Sequence, residues 1–250
     1  MKRNKFEKND VFIQARLNST RFPKKILKTI SNKTILQIIV ERTKQIENID
    51  KIVLVTGPEK LNSELFQEAD RLGMQVFFGD EENVLDRFFQ AGECYKPDNI
   101  IRITGDCPLL DFELISKGID VFNSDEKIDL LTNTKKITYP HGFDFEIFTK
   151  RSLDKAWKEI TENSKYHKKE FINPVDYIIN SGKFNIFNLE NIVDQSHIRL
   201  TLDYQEDLIM ISEIYEKLIS NNNYFTSDEI IVFLEKNPHL LKINEKYEKV

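Results

Sequence analysis

Over its first hundred residues the chain alternates short apolar, β-rich runs with longer stretches whose apolar residues recur every three or four positions, and this alternation limits the folds open to it. Val11-Phe12-Ile13 is the first run. Lys51-Ile52-Val53-Leu54-Val55-Thr56 follows and is closed by Gly57-Pro58, then Gln75-Val76-Phe77-Phe78-Gly79, then Asn99-Ile100-Ile101-Arg102-Ile103. Between them, Ile35, Leu36, Ile38, Ile39 and Ile46 predict a helix over roughly 34–47 with Thr34 as N-cap. Leu61, Leu65, Ala69 and Leu72 predict a second helix that ends near Gly73, and Val84, Leu85, Phe88 and Phe89 a third. Strand and helix in alternation build a parallel sheet with right-handed crossovers. The expected fold class is therefore α/β, a Rossmann-like, mainly parallel sheet flanked by helices. Ligands of such sheets gather at the carboxyl ends of the strands. The loop after the first strand, residues 80–87 and the turn after the fourth strand then share one edge.

The loop after the first strand reads Gln14-Ala15-Arg16-Leu17-Asn18-Ser19-Thr20-Arg21-Phe22-Pro23-Lys24-Lys25. From Val11 to Val40 there is no Asp or Glu, although 41 acids in 250 residues would place about five in such a window. Arg16, Arg21, Lys24, Lys25, Lys28 and Lys33 stand there instead. Arginine forks match phosphate oxygens, and hydroxyls and free backbone N–H groups at a strand end add the uncharged donors a polyphosphate needs. The loop reads as a triphosphate cradle. A solvated basic loop capping a buried strand would use the same residue types.

Other phosphate chemistries are excluded by spacing. No two of the eight glycines lie closer than Gly73 and Gly79, so neither G-x-G-x-x-G nor G-x-x-x-x-G-K can be present. The only cysteines, Cys94 and Cys107, argue against a disulfide framework or a cysteine zinc site. A net charge of −5 speaks against a nucleic-acid partner, which requires a broad basic face. No apolar run reaches the roughly 18 residues of a membrane span, and the start Met1-Lys2-Arg3-Asn4-Lys5 has no signal-peptide core, so a cytoplasmic protein is expected. At 250 residues one domain is expected, and the pattern changes from Ile128, so residues 128–190 read as a lid or insert.

Beyond the fourth strand, Thr104-Gly105-Asp106-Cys107-Pro108-Leu109 forms a turn that precedes a helix from Asp111 to about Val121. Asp106 falls at the expected crevice, where a turn aspartate before proline is also common. Cys107 reads as a packing residue. Ile128 to Thr132 and Asp144-Phe145-Glu146-Ile147-Phe148 look like strands flanking Tyr139-Pro140-His141-Gly142-Phe143, with helices at about 151–161 and 166–180. Asp144 and Glu146 would share one strand face. Ser196-His197-Ile198-Arg199-Leu200-Thr201-Leu202 alternates like a strand and ends at Asp203, where Asp203-Tyr204-Gln205-Glu206 is a capping-box pattern. An amphipathic helix closes the chain at Phe225 to Pro238.

Gln-Ala-Arg-x-x-Ser-Thr-Arg-x-Pro-x-Lys after a hydrophobic strand resembles the signature loop of the sugar-activating cytidylyltransferases, the group of the acylneuraminate, ulosonic-acid and spore-coat-polysaccharide-type enzymes, the last branch above all. Arg-Ile-Thr-Gly-Asp-Cys-Pro-Leu at 102–109, Tyr-Pro-His-Gly-Phe-Asp-Phe-Glu-Ile-Phe at 139–148 and Leu-Thr-Leu-Asp-Tyr-Gln-Glu-Asp-Leu at 200–208 resemble further stretches of that family, so the likeness covers about residues 9–245. Asn18 and Lys24 stand where the family usually has glycine. Asn18 tolerates the left-handed backbone of a turn, while Lys24 leaves the last bend of the loop open.

The resemblance implies a fold of the nucleotide-diphospho-sugar transferase type, in which CMP passes from CTP to an anionic sugar or sugar-like acceptor and pyrophosphate is released, for surface polysaccharide, capsule or lipopolysaccharide synthesis. It implies Arg16, Lys25, Asp106 and Asp203 as catalytic residues, with Asp106 and Asp203 holding Mg²⁺. The nucleotide would meet Gln14, Ala15, Arg16, Ser19, Thr20, Arg21, Lys25, Asp86, Arg87, Thr104 and Gly105. His141, Asp144, Glu146, Glu170, His197 and Arg199 would face the acceptor, although Phe171 stands where the family usually has histidine. A homodimer built through the insert is implied as well. Spacing alone leaves the base open, and it leaves open a phosphorylated acceptor that would yield a CDP- or other NDP-conjugate, or a silent nucleotide-sugar binding protein.

Overall fold

The computed structural model describes residues 7–162, 173–220, 222 and 224–247. In chain order the first half comprises β1 (Asn9–Gln14), a hairpin of β2 (Thr29–Ile30) and β3 (Lys33–Thr34), α1 (Ile35–Thr43), β4 (Lys51–Thr56), α2 (Glu59–Arg71), β5 (Gln75–Phe78), α3 (Val84–Tyr95) and β6 (Asn99–Thr104). The second half comprises α4 (Phe112–Ser124), β7 (Leu130–Thr132), β8 (Glu146–Thr149), α5 (Lys150–Glu162), α6 (Asp176–Asn180), β9 (Ile186–Asn188), α7 (Gln205–Ile219) and α8 (Ser227–Lys236).

Seven strands form one sheet in the order β5-β4-β1-β6-β8-β7-β9, in which β5, β4, β1 and β6 run parallel and β8 runs antiparallel to both neighbours. This is the α/β, mainly parallel architecture that the alternation predicted. At the centre, Ile13 of β1 is in register with Leu54 of β4 and Ile103 of β6. Val11, Phe12 and Ile13 are all fully buried because helices cover both faces, so the strand reads as a continuous apolar run and not as an alternating one. Val11 and Ile13 meet Leu36 and Ile39 of α1, Ile115 of α4 and Met210 of α7 on one face; Phe12, Val53 and Val55 meet Phe88 of α3 and Leu153 of α5 on the other. A stacked Phe89–Trp157 pair, ring centroids 3.9 Å apart, joins α3 to α5.

Several boundaries differ from expectation, each for a local reason. Thr34 does cap α1, accepting a hydrogen bond from the Gln37 N–H, but the helix ends at Thr43, where Gln45 N–H and Ile46 N–H turn to the carbonyls three residues back before Asn48, at φ 61°, redirects the chain. The alternating segment 196–202 joins no sheet and makes only one isolated bridge, His141 to Arg199. Its backbone groups bond instead to His141 and to the turn at Asp106: His141 N–H donates to Ile198 O, Leu200 N–H to His141 O, and Leu202 N–H to Asp106 O. β9 was not foreseen, since Ile186-Phe187-Asn188 is a three-residue strand bracketed by asparagines, which strands disfavour. Asp144 precedes β8 and is not part of it. Of the helix expected at 166–180, Asp176–Asn180 is helical and residues 163–172 lie outside the described residues. Among the described residues no helix is long and apolar enough to cross a membrane.

Candidate active site

The basic loop after β1 is closed by its own backbone. Leu17 O accepts from Ser19 N–H at 2.9 Å and from Lys24 N–H at 3.0 Å, while Leu17 N–H donates to the buried Asn62 Oδ1 at 3.0 Å. Lys24 adopts the left-handed conformation, φ 55° and ψ 25°, and Asn18 has no positive φ. The bend therefore falls at Lys24, not at Asn18. A β-carbon there costs roughly 1–2 kcal/mol relative to glycine, and Lys24 Nζ answers with a 2.6 Å ion pair to Glu64 at the surface. The bend sends the next side chain, Lys25, inward.

The turn after β6 comes up beside this loop. Gly105 N–H donates to Gln14 O at 2.8 Å, and a β-carbon on Gly105 would sit 2.8 Å from that of Ala15, so glycine is what lets the two strand ends approach. Lys25 Nζ lies 3.1 Å from Asp106 Oδ2 and 2.9 Å from Asp203 Oδ1. Two aspartates almost a hundred residues apart thus share one ammonium. Burial raises the Asp106 carboxyl, but Lys25 and a hydrogen bond from Thr104 together hold the group below the usual carboxylate range. Burial likewise works against the Lys25 charge, and the Asp106 and Asp203 carboxylates hold its pKa above the ordinary lysine value.

Asp203 is not the cap of α7. Tyr204 occupies that position, and the carboxylate of Asp207 does the capping, accepting from Asp203 N–H at 2.8 Å and Tyr204 N–H at 2.9 Å. The Asp203 side chain is free for the crevice, where it also meets Arg21 Nη2 at 2.8 Å and Arg199 Nη2 at 3.1 Å. Cys107 is buried and free, its thiol pushed well up by burial and then by Asp106, which leaves it a packing group.

A cleft of about 330 Å³ opens over these residues. Gln14, Ala15, Arg16, Ser19, Thr20 and Arg21 form one wall, and Lys25, Arg87, Thr104, Gly105, Asp106 and Asp203 form the floor and the opposite side. Asp86 is absent from that wall: it points to α5 and accepts from Trp157 Nε1 at 2.8 Å. Arg87 is 1% exposed, with burial drawing its pKa down to about 10, and Nη1 donates to Asp80 O at 2.6 Å. Arg87 pins loop 80–82 from below. The sequence reading missed Glu82, Arg102 and Asn173 in this lining. Arg102 had a signal, because one charge inside Ile100-Ile101-Arg102-Ile103 on a central strand demands a buried partner; Glu82 and Asn173 had none.

A second cavity, of about 390 Å³, shares Arg21, Arg102, Thr104, Asp106 and Asp203 with the first and continues past Thr134, His141, Asp144, Glu146, Arg199 and Thr201. Gly142, at φ 114° and with a built β-carbon only 2.6 Å from the Leu200 carbonyl carbon, lets the His141 turn pack on segment 198–202. Most charges in this cavity are already matched. Arg102 pairs with Glu146 at 2.8 Å, and Arg199 with Asp203 and Asp207 at 3.1 and 3.2 Å. Asp144 faces His141 Nε2 at 3.4 Å, and burial raises its carboxyl to about 6. His197 is exposed and belongs to the wall of neither cavity. Glu170 and Phe171 lie outside the described residues.

Among the described residues no cluster of three or more His, Cys, Asp or Glu side chains is placed to enclose a metal. Two converging carboxylates still suit Mg²⁺, which is commonly held by one or two carboxylates while waters and substrate phosphates complete its shell. The Lys25 ammonium, seated between Asp106 and Asp203, marks a point where those carboxylates already favour a cation.

The family model for cytidylyltransferases matches residues 11–236. The spore coat polysaccharide biosynthesis protein SpsF of Bacillus subtilis is 30% identical over 239 residues, spanning 92% of this chain and 96% of its own. The 3-deoxy-manno-octulosonate cytidylyltransferase of Fusobacterium nucleatum is 25% identical over 243 residues, spanning 90% and 96%. A cytidylyltransferase structure from Leptospira borgpetersenii serovar Hardjo-bovis superposes with a TM-score of 0.86 at 31% identity, covering 94% of this chain and 97% of that one.

Proposed function

Because the chain belongs to the cytidylyltransferase family, we propose that it transfers CMP from CTP to a small anionic sugar or sugar-like acceptor and releases pyrophosphate. The observation that carries this reading is the convergence of Asp106, Lys25 and Asp203 beneath an acid-free, arginine-bearing loop. Arg16 and Arg21, each nearly half exposed in its side chain, would take the phosphates, with Ser19 and Thr20 as neutral donors. Their charge stabilises the pyrophosphate as it leaves, which is where phosphoryl-transfer enzymes concentrate their effect. Asp106 and Asp203 would hold Mg²⁺, which when bound neutralises phosphate charge and polarises the α-phosphate.

An acceptor in the second cavity, which shares a wall with the first, would lie next to the same carboxylates, and its oxygen would attack the α-phosphorus opposite the departing pyrophosphate. With Arg102 and Arg199 committed to buried carboxylates, an anionic acceptor would meet Arg21 and His141. The likeness to SpsF supports a role in surface polysaccharide synthesis, and a cytoplasmic location would fit use of CTP. The chain would act as one domain, and Ile137, Phe187, Ile192 and Val193, exposed on and beside the insert, are the groups through which it would form a homodimer. Light scattering that shows a monomer at micromolar concentration would remove the dimer and leave the insert as an intrachain lid.

Pyrophosphate release, measured for each of the four NTPs with ulosonic acids, sugar phosphates and polyol phosphates, tests the reaction. CTP with one acceptor class should be preferred. A CDP-linked product would move the acceptor to the phosphorylated class, and release with no NTP would leave a nucleotide-sugar binding protein.

A further inference from the structure

We propose that Lys25 is the internal counter-ion of the Asp106–Asp203 pair and keeps divalent cations out until the phosphates of CTP draw its ammonium away, so that metal and nucleotide bind as one event. The proposal rests on Asp106 and Asp203 being the metal carboxylates.

Geometry and charge carry it together. A divalent cation held by both carboxylates must take the place that Lys25 Nζ now fills, 3.1 Å from Asp106 Oδ2 and 2.9 Å from Asp203 Oδ1. Three cations, Lys25, Arg21 and Arg199, meet three carboxylates, Asp106, Asp203 and Asp207, in this cluster. The cluster is balanced, and a further double charge among these largely buried groups is repelled at short range and poorly screened. A triphosphate brings the missing negative charge with it.

Of the three cations only Lys25 is built both to block and to yield. Arg199 is 5% exposed in its side chain and gripped by two oxygens of Asp207 as well as by Asp203, so it cannot leave. Arg21 reaches Asp203 from the rim with a side chain 45% exposed, and has no contact with Asp106 within ion-pair distance among the described residues. Lys25 bridges both carboxylates on a flexible four-carbon stem that lines the same cleft as Arg16, Ser19 and Thr20. Swinging from the carboxylates to a phosphate exchanges one anionic partner for another. The phosphate-binding role of Lys25 and its contact with the aspartates then become two positions of one side chain.

The experiment is Mn²⁺ binding by calorimetry and by thermal shift, with and without CTP, on the wild type, Lys25→Met and Lys25→Met/Asp106→Asn. Methionine keeps the length of the stem and removes the charge. The wild type should bind Mn²⁺ weakly alone and much more tightly with CTP. Lys25→Met should bind Mn²⁺ without nucleotide roughly tenfold more tightly or better, the effect of one like charge removed at short range, and Mn²⁺ should raise its Tm but not that of the wild type. The gain should vanish in the double variant. Mn²⁺ affinity unchanged or weakened in Lys25→Met, or a gain that survives Asp106→Asn, would overturn the proposal. So would tight Mn²⁺ binding by the nucleotide-free wild type, which needs no variant to fold. Loss of CTP binding by the wild type in the presence of Mn²⁺ would instead overturn the cytidylyltransferase reading on which the proposal stands.

Discussion

Two aspartates at opposite ends of the central strands, one buried and one partly exposed, show how differently the molecule treats the same side chain. Asp10, at the foot of β1, is 1% exposed, and its Oδ1 has no hydrogen-bond partner. Burial lifts its carboxyl to about 6 in spite of nearby Lys51. Asp106, at the mouth of β6, is held below the usual carboxylate range by Lys25 and a hydrogen bond from Thr104. At the mouth a charge is held by a partner; at the foot it is merely tolerated, at a cost in stability. Maintained charge beside a cavity is the mark of a working group, while tolerated charge is a stability defect that substitution can relieve.

The largest expected effect is at the mouth. Asp106→Asn and Asp203→Asn should each lower turnover by orders of magnitude with the fold intact, because each removes one carboxylate from the proposed metal pair. Circular dichroism beside steady-state rates checks this, and near-normal activity in either variant would return that aspartate to a turn role. Next come Arg16→Ala and Arg21→Ala, which should weaken CTP binding far more than acceptor binding, by roughly 1–3 kcal/mol each for a lost charge-assisted phosphate contact. Calorimetric titration with CTP and Mg²⁺ reads the change, and unchanged affinity in both variants would sink the cradle.

The smallest effect lies at the foot and runs the other way. The folded-state pKa of Asp10 is raised, so its favourable contribution is complete only below the unfolded value near 4 and is lost as pH rises through about 6. Asp10→Asn should therefore be more stable than the wild type at pH 7.5, on the order of 1–3 kcal/mol, with the difference closing below pH 4. Thermal melts across that range would break the comparison if the variant were less stable at every pH.

How much of this was legible in sequence follows the same division between local and distant causes. β1 with its acid-free loop, the four strand–helix units and the Thr34 cap depend on neighbours a few residues away, and periodicity reveals them. The bend at Lys24 was not legible, because lysine gives no sign of a left-handed backbone; an ion pair with Glu64, forty residues on, helps to hold it there. Asp203-Tyr204-Gln205-Glu206 looked like a cap by spacing, yet Asp207 took that duty because Arg199 and the Asn244 Nδ2 group fix its carboxylate under the helix start. The acceptor side was the least legible. Arg199 was expected to face the acceptor, and only the fold shows it paired to Asp207 beneath α7.

The central claim is that Asp106, Lys25 and Asp203 sit where a cytidylyl group changes hands. Its most direct measurement is the fate of CTP labelled at the α-phosphorus, followed in the wild type and Asp106→Asn with Mg²⁺ and the preferred acceptor. The label should pass to the acceptor with one pyrophosphate released for each transfer, and should remain in CTP in the variant. Release of inorganic phosphate in place of pyrophosphate, or equal transfer by the variant, would contradict it.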